Sequence, residues 1–429
     1  MDIPELYEIF KQYPFVTTDT RNCINNSIFF ALKGSNFNGN EYAAKALEQG
    51  CSYAVIDEEK YKKDDRFILV DDVLKTLQSL ANYHRHQIKI PIIGITGTNG
   101  KTTTKELIAA VLTKEYNVLY TEGNLNNHIG VPLTLLRLTK QHEIAVIEMG
   151  ANHVGEIKHL AEIAEPHFGL ITNIGQAHLE GFGSFENIIK TKGELYDYIR
   201  SRSDGKIFID YENKYLRNME TDITPIYYGS QEELFISGHL LEMNPYLKFE
   251  WRFLDFHYIV QTKLIGDYNM TNVLAAVAVG RYFGVRSEKI SEAIEEYSPN
   301  NNRSQFKKTE KNMLIIDAYN ANPTSMHAAL ENFSHMDVKN KSLIIGEMKE
   351  LGSNSNSEHQ KVVDYIADHN FSNVYLVGNN FSNVDHQKYK VYETSDALKE
   401  FLAQNPLENQ YILIKGSHGI HLENCLDIL

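Results

Sequence analysis

The segment Gly94-Ile95-Thr96-Gly97-Thr98-Asn99-Gly100-Lys101-Thr102-Thr103-Thr104 constrains the fold more than any other stretch of this chain. It ends an apolar run, 88–96, that reads as a buried strand, and it opens a helix on which Leu107, Ile108, Val111 and Leu112 share one face. A glycine-rich turn in that setting offers backbone N–H groups and the positive end of a helix to an anion. Glycines let the backbone approach a phosphate, Lys101 offsets its charge, and the Thr102 hydroxyl suits a magnesium ion. A turn without function is the competing reading, and it leaves Gly100-Lys101-Thr102 between strand and helix unexplained. One position departs from the strict phosphate-loop pattern: Ile95 stands where its first glycine belongs, with Gly94 and Gly97 on either side. A generic ATPase loop therefore fits less well.

Further apolar runs at 144–147 and 168–174 alternate with helix-like segments, the rhythm of a parallel sheet covered on both faces. Residues 235–264 alternate and are rich in aromatics, which predicts antiparallel strands added to that sheet, and 269–282 reads as a small-residue helix. The pattern restarts with strands at 314–317, 343–346, 374–378 and 411–415, a Rossmann-like arrangement without the dinucleotide glycine fingerprint. The first segment carries short β-like runs at 27–32 and 53–56 and a helix-like stretch at 41–49. A chain of 429 residues exceeds one hydrophobic core. The expected fold is thus α/β in three domains: a small α/β domain (1–86), a central phosphate-loop domain with added antiparallel strands (87–299) and a Rossmann-like domain (300–429). The Asn-rich 299–302 stretch reads as a linker and the polar run 353–357 as a loop.

A formal charge of -14 argues against a nucleic-acid partner, whose phosphates call for clustered Lys and Arg. Cys23, Cys51 and Cys425 lie far apart in sequence and form no CxxC pair, so they read as structural thiols of a reducing compartment. Residues 1–14 lack a signal-like apolar core, and no stretch has the apolar length to span a bilayer. A cytoplasmic protein without membrane insertion is expected.

Glu148 ends the 144–147 run, which sets a carboxylate at the carboxyl edge of the sheet beside the phosphate loop, where it could hold magnesium. His178 follows the 168–174 run and should open into the same crevice. Lone histidines are usually structural, and a helix lysine such as Lys192 is usually a solvated charge.

At this point the residues resemble a known family. Thr96-Gly97-Thr98-Asn99-Gly100-Lys101-Thr102 is similar to the phosphate loop of the Mur ligase family, shared with folylpolyglutamate synthetase, and that form accommodates Ile95. Three strings resemble the D-alanyl-D-alanine-adding branch of the family: 121–132 (TEGNLNNHIGVP), 148–152 (EMGAN) and 317–323 (DAYNANP). The likeness runs from 18–21 (TDTR) and 30–34 (FALKG) to 415–419 (KGSHG).

The resemblance implies an ATP-dependent, magnesium-requiring, amide-forming ligase of peptidoglycan synthesis. It would join D-alanyl-D-alanine to UDP-N-acetylmuramoyl-tripeptide through an acyl phosphate, and a monomer is expected. Thr98, Asn99, Gly100, Lys101, Thr102 and Thr103 would take the phosphates, Asn269 and Asn272 the adenine, and Arg303 and Asp317 the phosphate and ribose. Thr102, Glu148, His178 and a carbamylated Lys192 would hold the metal. Thr20, Arg21, Lys33, Asn126 and Asn127 would meet the UDP-linked substrate, and Asn320 and Asn322 the peptide or acceptor side. The chain departs from the family with Gly39-Asn40 in place of Gly-His and His418 in place of Arg. The alternatives are another Mur ligase, a folylpolyglutamate synthetase, or a nucleotide-gated regulatory module. The last leaves Lys101, Glu148, His178 and Lys192 without a reason to occur together. Because an acyl phosphate hydrolyses readily, closure of the third domain over ATP is also expected.

Overall fold

The computed structural model describes residues 1–300 and 302–429, so Asn301, within the expected linker 299–302, lies outside the described residues. Three principal sheets follow one another along the chain. The first is parallel, in the order β1 (Phe15–Thr17), β2 (Ser27–Phe30), β5 (Cys51–Ile56), β6 (Phe67–Leu69), with a small hairpin of β3 (Lys33–Gly34) and β4 (Phe37–Asn38) beside it. All four residues of β2 are buried, as a strand covered on both faces requires. Because β2 and β5 are neighbours, Cys23 and Cys51 come together with their sulfurs 3.0 Å apart as free thiols, a proximity that their sequence spacing does not show.

Helix Val73–Gln87 links this sheet to the next. Asp72 caps it by accepting from the Lys75 N–H at 2.9 Å, and Leu77, Leu80 and Ala81 are wholly buried. Its polar residues reach across: Gln78 donates to the His128 carbonyl at 2.9 Å, and Arg85 Nε to that of Ala164 at 3.2 Å. The helix runs so far that the expected strand at 88–96 is shortened to β7 (Ile92–Thr96), since the Ile88 N–H still closes the last helical turn on Arg85.

The second sheet has nine strands in the order β15-β14-β13-β12-β11-β10-β7-β9-β8. Around β7 lie β8 (Val118–Tyr120), β9 (Ile144–Glu148), β10 (Phe168–Ile171), β11 (Lys206–Asp210) and β12 (Pro225–Gly229), all parallel. Then β13 (Ile236–Met243) joins β12 in parallel, and β14 (Leu247–Phe253) and β15 (Phe256–Gln261) follow it pairwise antiparallel, the extension that alternation predicts. The chain leaves β7 toward β8 and β9 on one side and returns to β10 on the other, so the order reverses at β7 and a crevice opens at the carboxyl ends there. Helix Asn269–Tyr282 spans the expected residues, and its whole middle, Val273 to Gly280, is buried, as a small-residue helix between layers must be.

The third sheet runs β16-β17-β21-β18-β19-β20. Four strands, β17 (Met313–Asp317), β18 (Lys341–Gly346), β19 (Asn373–Val377) and β21 (Tyr411–Lys415), are the expected ones, buried and parallel. The edges, antiparallel β16 (Gln305–Lys308) and parallel β20 (Lys390–Tyr392), are not legible in the sequence because short, half-exposed edge strands carry no apolar run. The polar run 353–357 is not a loop throughout, since helix Ser355–Ala367 starts inside it and buries Val363 and Ile366. No described helix is long and apolar enough to cross a membrane.

Candidate active site

The phosphate loop turns between β7 and helix Lys101–Leu112 on two glycines that no other residue can replace. Gly97 (φ 141°) and Gly100 (φ 77°) are in the left-handed region, and a Cβ on them would lie 2.0 Å from Thr172 Oγ1 and 2.6 Å from Asn272 Oδ1. Ile95 is wholly buried as a strand residue, so the turn begins at Gly97 and the departure from the strict pattern is a matter of where β7 ends. The loop is tied to the segment just after β10 by Thr98 N–H on the Asn173 carbonyl and Asn99 N–H on Asn173 Oδ1, each at 3.0 Å.

Lys101 Nζ donates to the Gly97 and Thr98 carbonyls at 2.9 and 3.0 Å. Burial pushes its pKa down, Glu148 pulls it up, and Arg303 lowers it again. Thr102 Oγ1 donates to Glu148 Oε2 at 3.0 Å, and Asn126 Nδ2 to Glu148 Oε1 at 2.8 Å. Glu148 is thus a buried carboxylate aimed at the helix start.

His178 caps the short turn Leu179–Phe182 from a left-handed conformation (φ 50°), and its Nδ1 meets the Glu350 carboxylate of the third sheet's unit. Lys192, on helix Phe185–Arg200, is buried behind the cleft wall with Nζ 5.4 Å from the Phe182 ring centre. Burial, and secondarily Lys101, pushes its pKa down to about 7. The Phe182 ring stands edge-on to His178 as well, with ring centres 6.4 Å apart, so both candidate metal-holding groups lie beside one aromatic side chain.

Among the described residues no three His, Cys, Asp or Glu side chains form a closed metal cage. The donor set suits a hard cation held partly by a ligand: a hydroxyl beside a carboxylate, at the foot of a phosphate loop, is the kind of partial oxygen shell in which magnesium sits with substrate phosphates.

Asn269 and Asn272 are buried and joined, Asn272 Nδ2 donating to Asn269 Oδ1 at 2.8 Å, while Thr104 Oγ1 donates to Asn272 Oδ1 at 3.0 Å. From the third unit, Arg303 lies with its guanidinium carbon 3.8 Å from the Tyr319 ring centre. Asp317 accepts from Lys415 Nζ at 2.5 Å and from the Ser304 N–H at 3.3 Å. Asn320 Oδ1 folds back onto the Ala321 N–H at 2.9 Å. Asn322 caps helix Pro323–His335 and crosses to the phosphate loop, its Nδ2 donating to Asn99 Oδ1 at 2.8 Å.

These side chains line one cleft of about 1410 Å³, together with Asn126, Asn127, Asp210, His418 and the helix residues Asp72, Lys75 and Gln78. Lys192 does not line it, and neither do Asn322, Thr20, Arg21 and Lys33. Arg21 is paired with Asp19 at 2.6 Å, and Lys33 with Asp57 at 2.8 Å and Glu58 at 3.1 Å. Asn40 occupies its buried position by bonding Asp57 twice, through Nδ2 at 2.8 Å and Oδ1 at 3.0 Å. His418 stacks on Tyr319 with ring centres 5.6 Å apart. Sequence reasoning missed Asn173, Lys415 and Glu350. Lys415, a lysine ending a wholly apolar strand, was the one with a readable signal.

The Mur ligase middle domain family matches residues 95–280, and the family described as Mur ligase, glutamate ligase domain, matches residues 302–418. The chain is similar to the UDP-N-acetylmuramoyl-tripeptide--D-alanyl-D-alanine ligase of Bacillus subtilis, at 32% identity over 423 residues, 96% of this chain and 92% of that one. The Haemophilus influenzae enzyme of the same name is 33% identical over 442 residues, again 96% and 92% of the two chains. Among solved structures, a crystal structure of MurF from Acinetobacter baumannii superposes with a TM-score of 0.88 at 28% identity, covering 99% of this chain and 97% of that one. MurF from Thermotoga maritima in complex with ADP, at 24% identity, shares the fold with a TM-score of 0.86 over 97% of each chain.

Proposed function

The chain belongs to the Mur ligase family, and on that premise we propose that it joins D-alanyl-D-alanine to UDP-N-acetylmuramoyl-tripeptide with ATP, giving UDP-N-acetylmuramoyl-pentapeptide, ADP and phosphate. The observation that carries the reading is the convergence of Lys101, Thr102 and Glu148 at the start of one helix, at the carboxyl edge of a parallel sheet, in a cleft that three structural units line.

The tripeptide's terminal carboxylate attacks the γ-phosphorus of ATP and becomes an acyl phosphate. The amine of D-alanyl-D-alanine then attacks the acyl carbon, and phosphate leaves with the C–O bond electrons. Lys101 and the loop N–H groups hold the transferring phosphoryl group, while Arg303 approaches it from the third unit with donors fixed in advance. Asn269 and Asn272 meet the adenine, Asp317 the ribose, Asn126 and Asn127 the UDP-linked substrate, and Asn320 the acceptor side, on which Asn322, outside the cleft lining, acts through Asn99 of the phosphate loop. Thr20, Arg21 and Lys33 belong to an outer surface of the first unit that meets the uridine diphosphate when the ion pairs of Arg21 and Lys33 open.

Thr102, Glu148 and His178 hold magnesium, which when bound offsets charge on the phosphoryl oxygens. Lys192, neutral over much of its population near its lowered pKa, adds to carbon dioxide and loses a proton to give a carbamate, a further oxygen ligand. The units 1–86, 87–299 and 300–429 act as domains, the third closing over ATP to exclude water. The proposed working unit is a single chain in the cytoplasm, where ATP is supplied. The test is phosphate release from ATP and magnesium with the lysine or diaminopimelate tripeptide, with and without D-alanyl-D-alanine. Release and pentapeptide mass only with both substrates is expected; no turnover with either precursor points to a different acceptor.

A further inference from the structure

The segment after β10 is clamped by the third unit at two points: the Gln176 N–H donates to Thr324 Oγ1 at 3.0 Å, and the Glu180 N–H to the Glu350 carbonyl at 3.4 Å. Between them His178 and Glu350 meet, and both are non-glycine residues in the left-handed region, at φ 50° and φ 62°. Such conformations persist only where surrounding structure imposes them, and here they meet at a cleft wall.

The loop carrying Glu350 is braced within its own unit. The Met348 N–H donates to Nε2 of His359 at 3.0 Å, and that wholly buried ring is oriented by its Nδ1 on the Ser355 carbonyl at 2.7 Å. The Lys349 N–H donates to Ser417 Oγ at 3.0 Å, and Glu347, buried itself, accepts from the Asn380 N–H at 2.9 Å. Glu350 is therefore presented by a rigid loop, not by a free arm. On the other side, His178 Nδ1 is buried, and no described group makes a hydrogen bond of ordinary geometry to it; the Glu350 carboxylate is what meets it.

We infer that Glu350 is a positioning residue for the reaction: its carboxylate keeps the hydrogen of His178 on Nδ1, leaving the Nε2 lone pair for the metal, and does so only while the third unit is docked. A carboxylate behind a ligating histidine fixes its tautomer and ring orientation and raises its basicity. Supplied from another unit, it makes completion of the metal site conditional on docking. This rests on the reading of His178 as a metal-holding residue of a Mur ligase.

The experiment titrates manganese(II), in the presence of adenosine 5′-(β,γ-imido)triphosphate, into the full chain and reads free manganese by electron paramagnetic resonance. Glu350→Ala is expected to weaken manganese binding about tenfold or more, the size of loss typical when such a partner is removed. Glu350→Gln, which keeps the loop's shape but weakens the acceptor, loses less and covers the case in which the alanine variant does not fold. In a His178→Ala background, Glu350→Ala is expected to cost nothing further, because the carboxylate acts through the ring. Wild-type affinity in both Glu350 variants, or losses that multiply in the double variant, overturns the inference. An unchanged affinity in His178→Ala overturns it together with the metal role of His178, while the two-substrate phosphate assay on the wild type tests the ligase reading by itself.

Discussion

Arg303 stacks its guanidinium 3.8 Å from the centre of the Tyr319 ring, and its Nε is buried without a hydrogen-bond partner among the described residues. The ring fixes the plane of the fork while leaving Nε uncommitted, the state expected of a group that waits for an anion. Lysine can neither stack nor fork in this way. Arg303→Lys is expected to lower kcat/KM by roughly a hundredfold or more, the loss typical of removing one preorganised donor. The thermal midpoint should hold, since the arginine leaves a buried donor unpaired. Steady-state kinetics beside a melting curve checks both halves, and near-normal kinetics would remove Arg303 from the phosphate site.

Lys192 should respond to carbon dioxide. Protein purged of bicarbonate is expected to lose activity and regain it when bicarbonate is restored, whereas Lys192→Arg stays inactive under both conditions. Activity indifferent to purging would show that the lysine is unmodified.

The unmodified amine also leaves a signature in stability. Its pKa is lowered to about 7 from 10.5, so between those pH values the unfolded chain binds more protons than the folded one. Stability therefore rises with pH across that window and is lowest below it. The difference between wild type and Lys192→Met in urea midpoint, followed from pH 7 to pH 10.5 without bicarbonate, should shift in favour of wild type as pH rises.

Asn322 does two things that substitution can separate. Its Oδ1 accepts from the Ser325 N–H at 2.9 Å, and its Nδ2 donates to Asn99 Oδ1 at 2.8 Å. Asn322→Ala is expected to lose about 1 kcal/mol from the cap. Asn322→Asp keeps the cap and loses the donor, so it should retain the thermal midpoint while raising KM for ATP. Equal KM values in wild type and Asn322→Asp would show that this link does not matter for nucleotide binding.

Glu148→Gln preserves shape and removes charge beside Thr102. The magnesium concentration for half-maximal rate is expected to rise about tenfold or more, the usual cost of disturbing a ligand set. A magnesium titration at saturating ATP settles it, and an unchanged half-saturation point would mean that the cation is held elsewhere.

What the sequence made legible was local. The helix at 269–282 and the strand at 411–415 have the bounds expected of them, because uninterrupted apolar runs carry their own periodicity. Strand ends and helix starts place Lys101, Thr102, Glu148 and His178 on one crevice, whereas Asn269, Asn272, Arg303 and Asp317 are reached only through the family resemblance; all eight line one cleft. Pairings between distant segments were not legible. Cys23 beside Cys51, Glu350 against His178, and Arg21 and Lys33 engaged by their own carboxylates depend on which strands and loops become neighbours, and residue spacing does not encode that.

Asn272 touches both the helix that begins at the phosphate loop and the loop's last glycine: it accepts from Thr104, and a Cβ on Gly100 would lie 2.6 Å from its Oδ1. The start of helix Asn269–Tyr282 and the phosphate loop are consequently packed directly against one another. The distance from Asn272 to the phosphate loop is therefore set within one body, and any change in the width of the cleft falls to the opposite side, which carries Arg303 and Asn322.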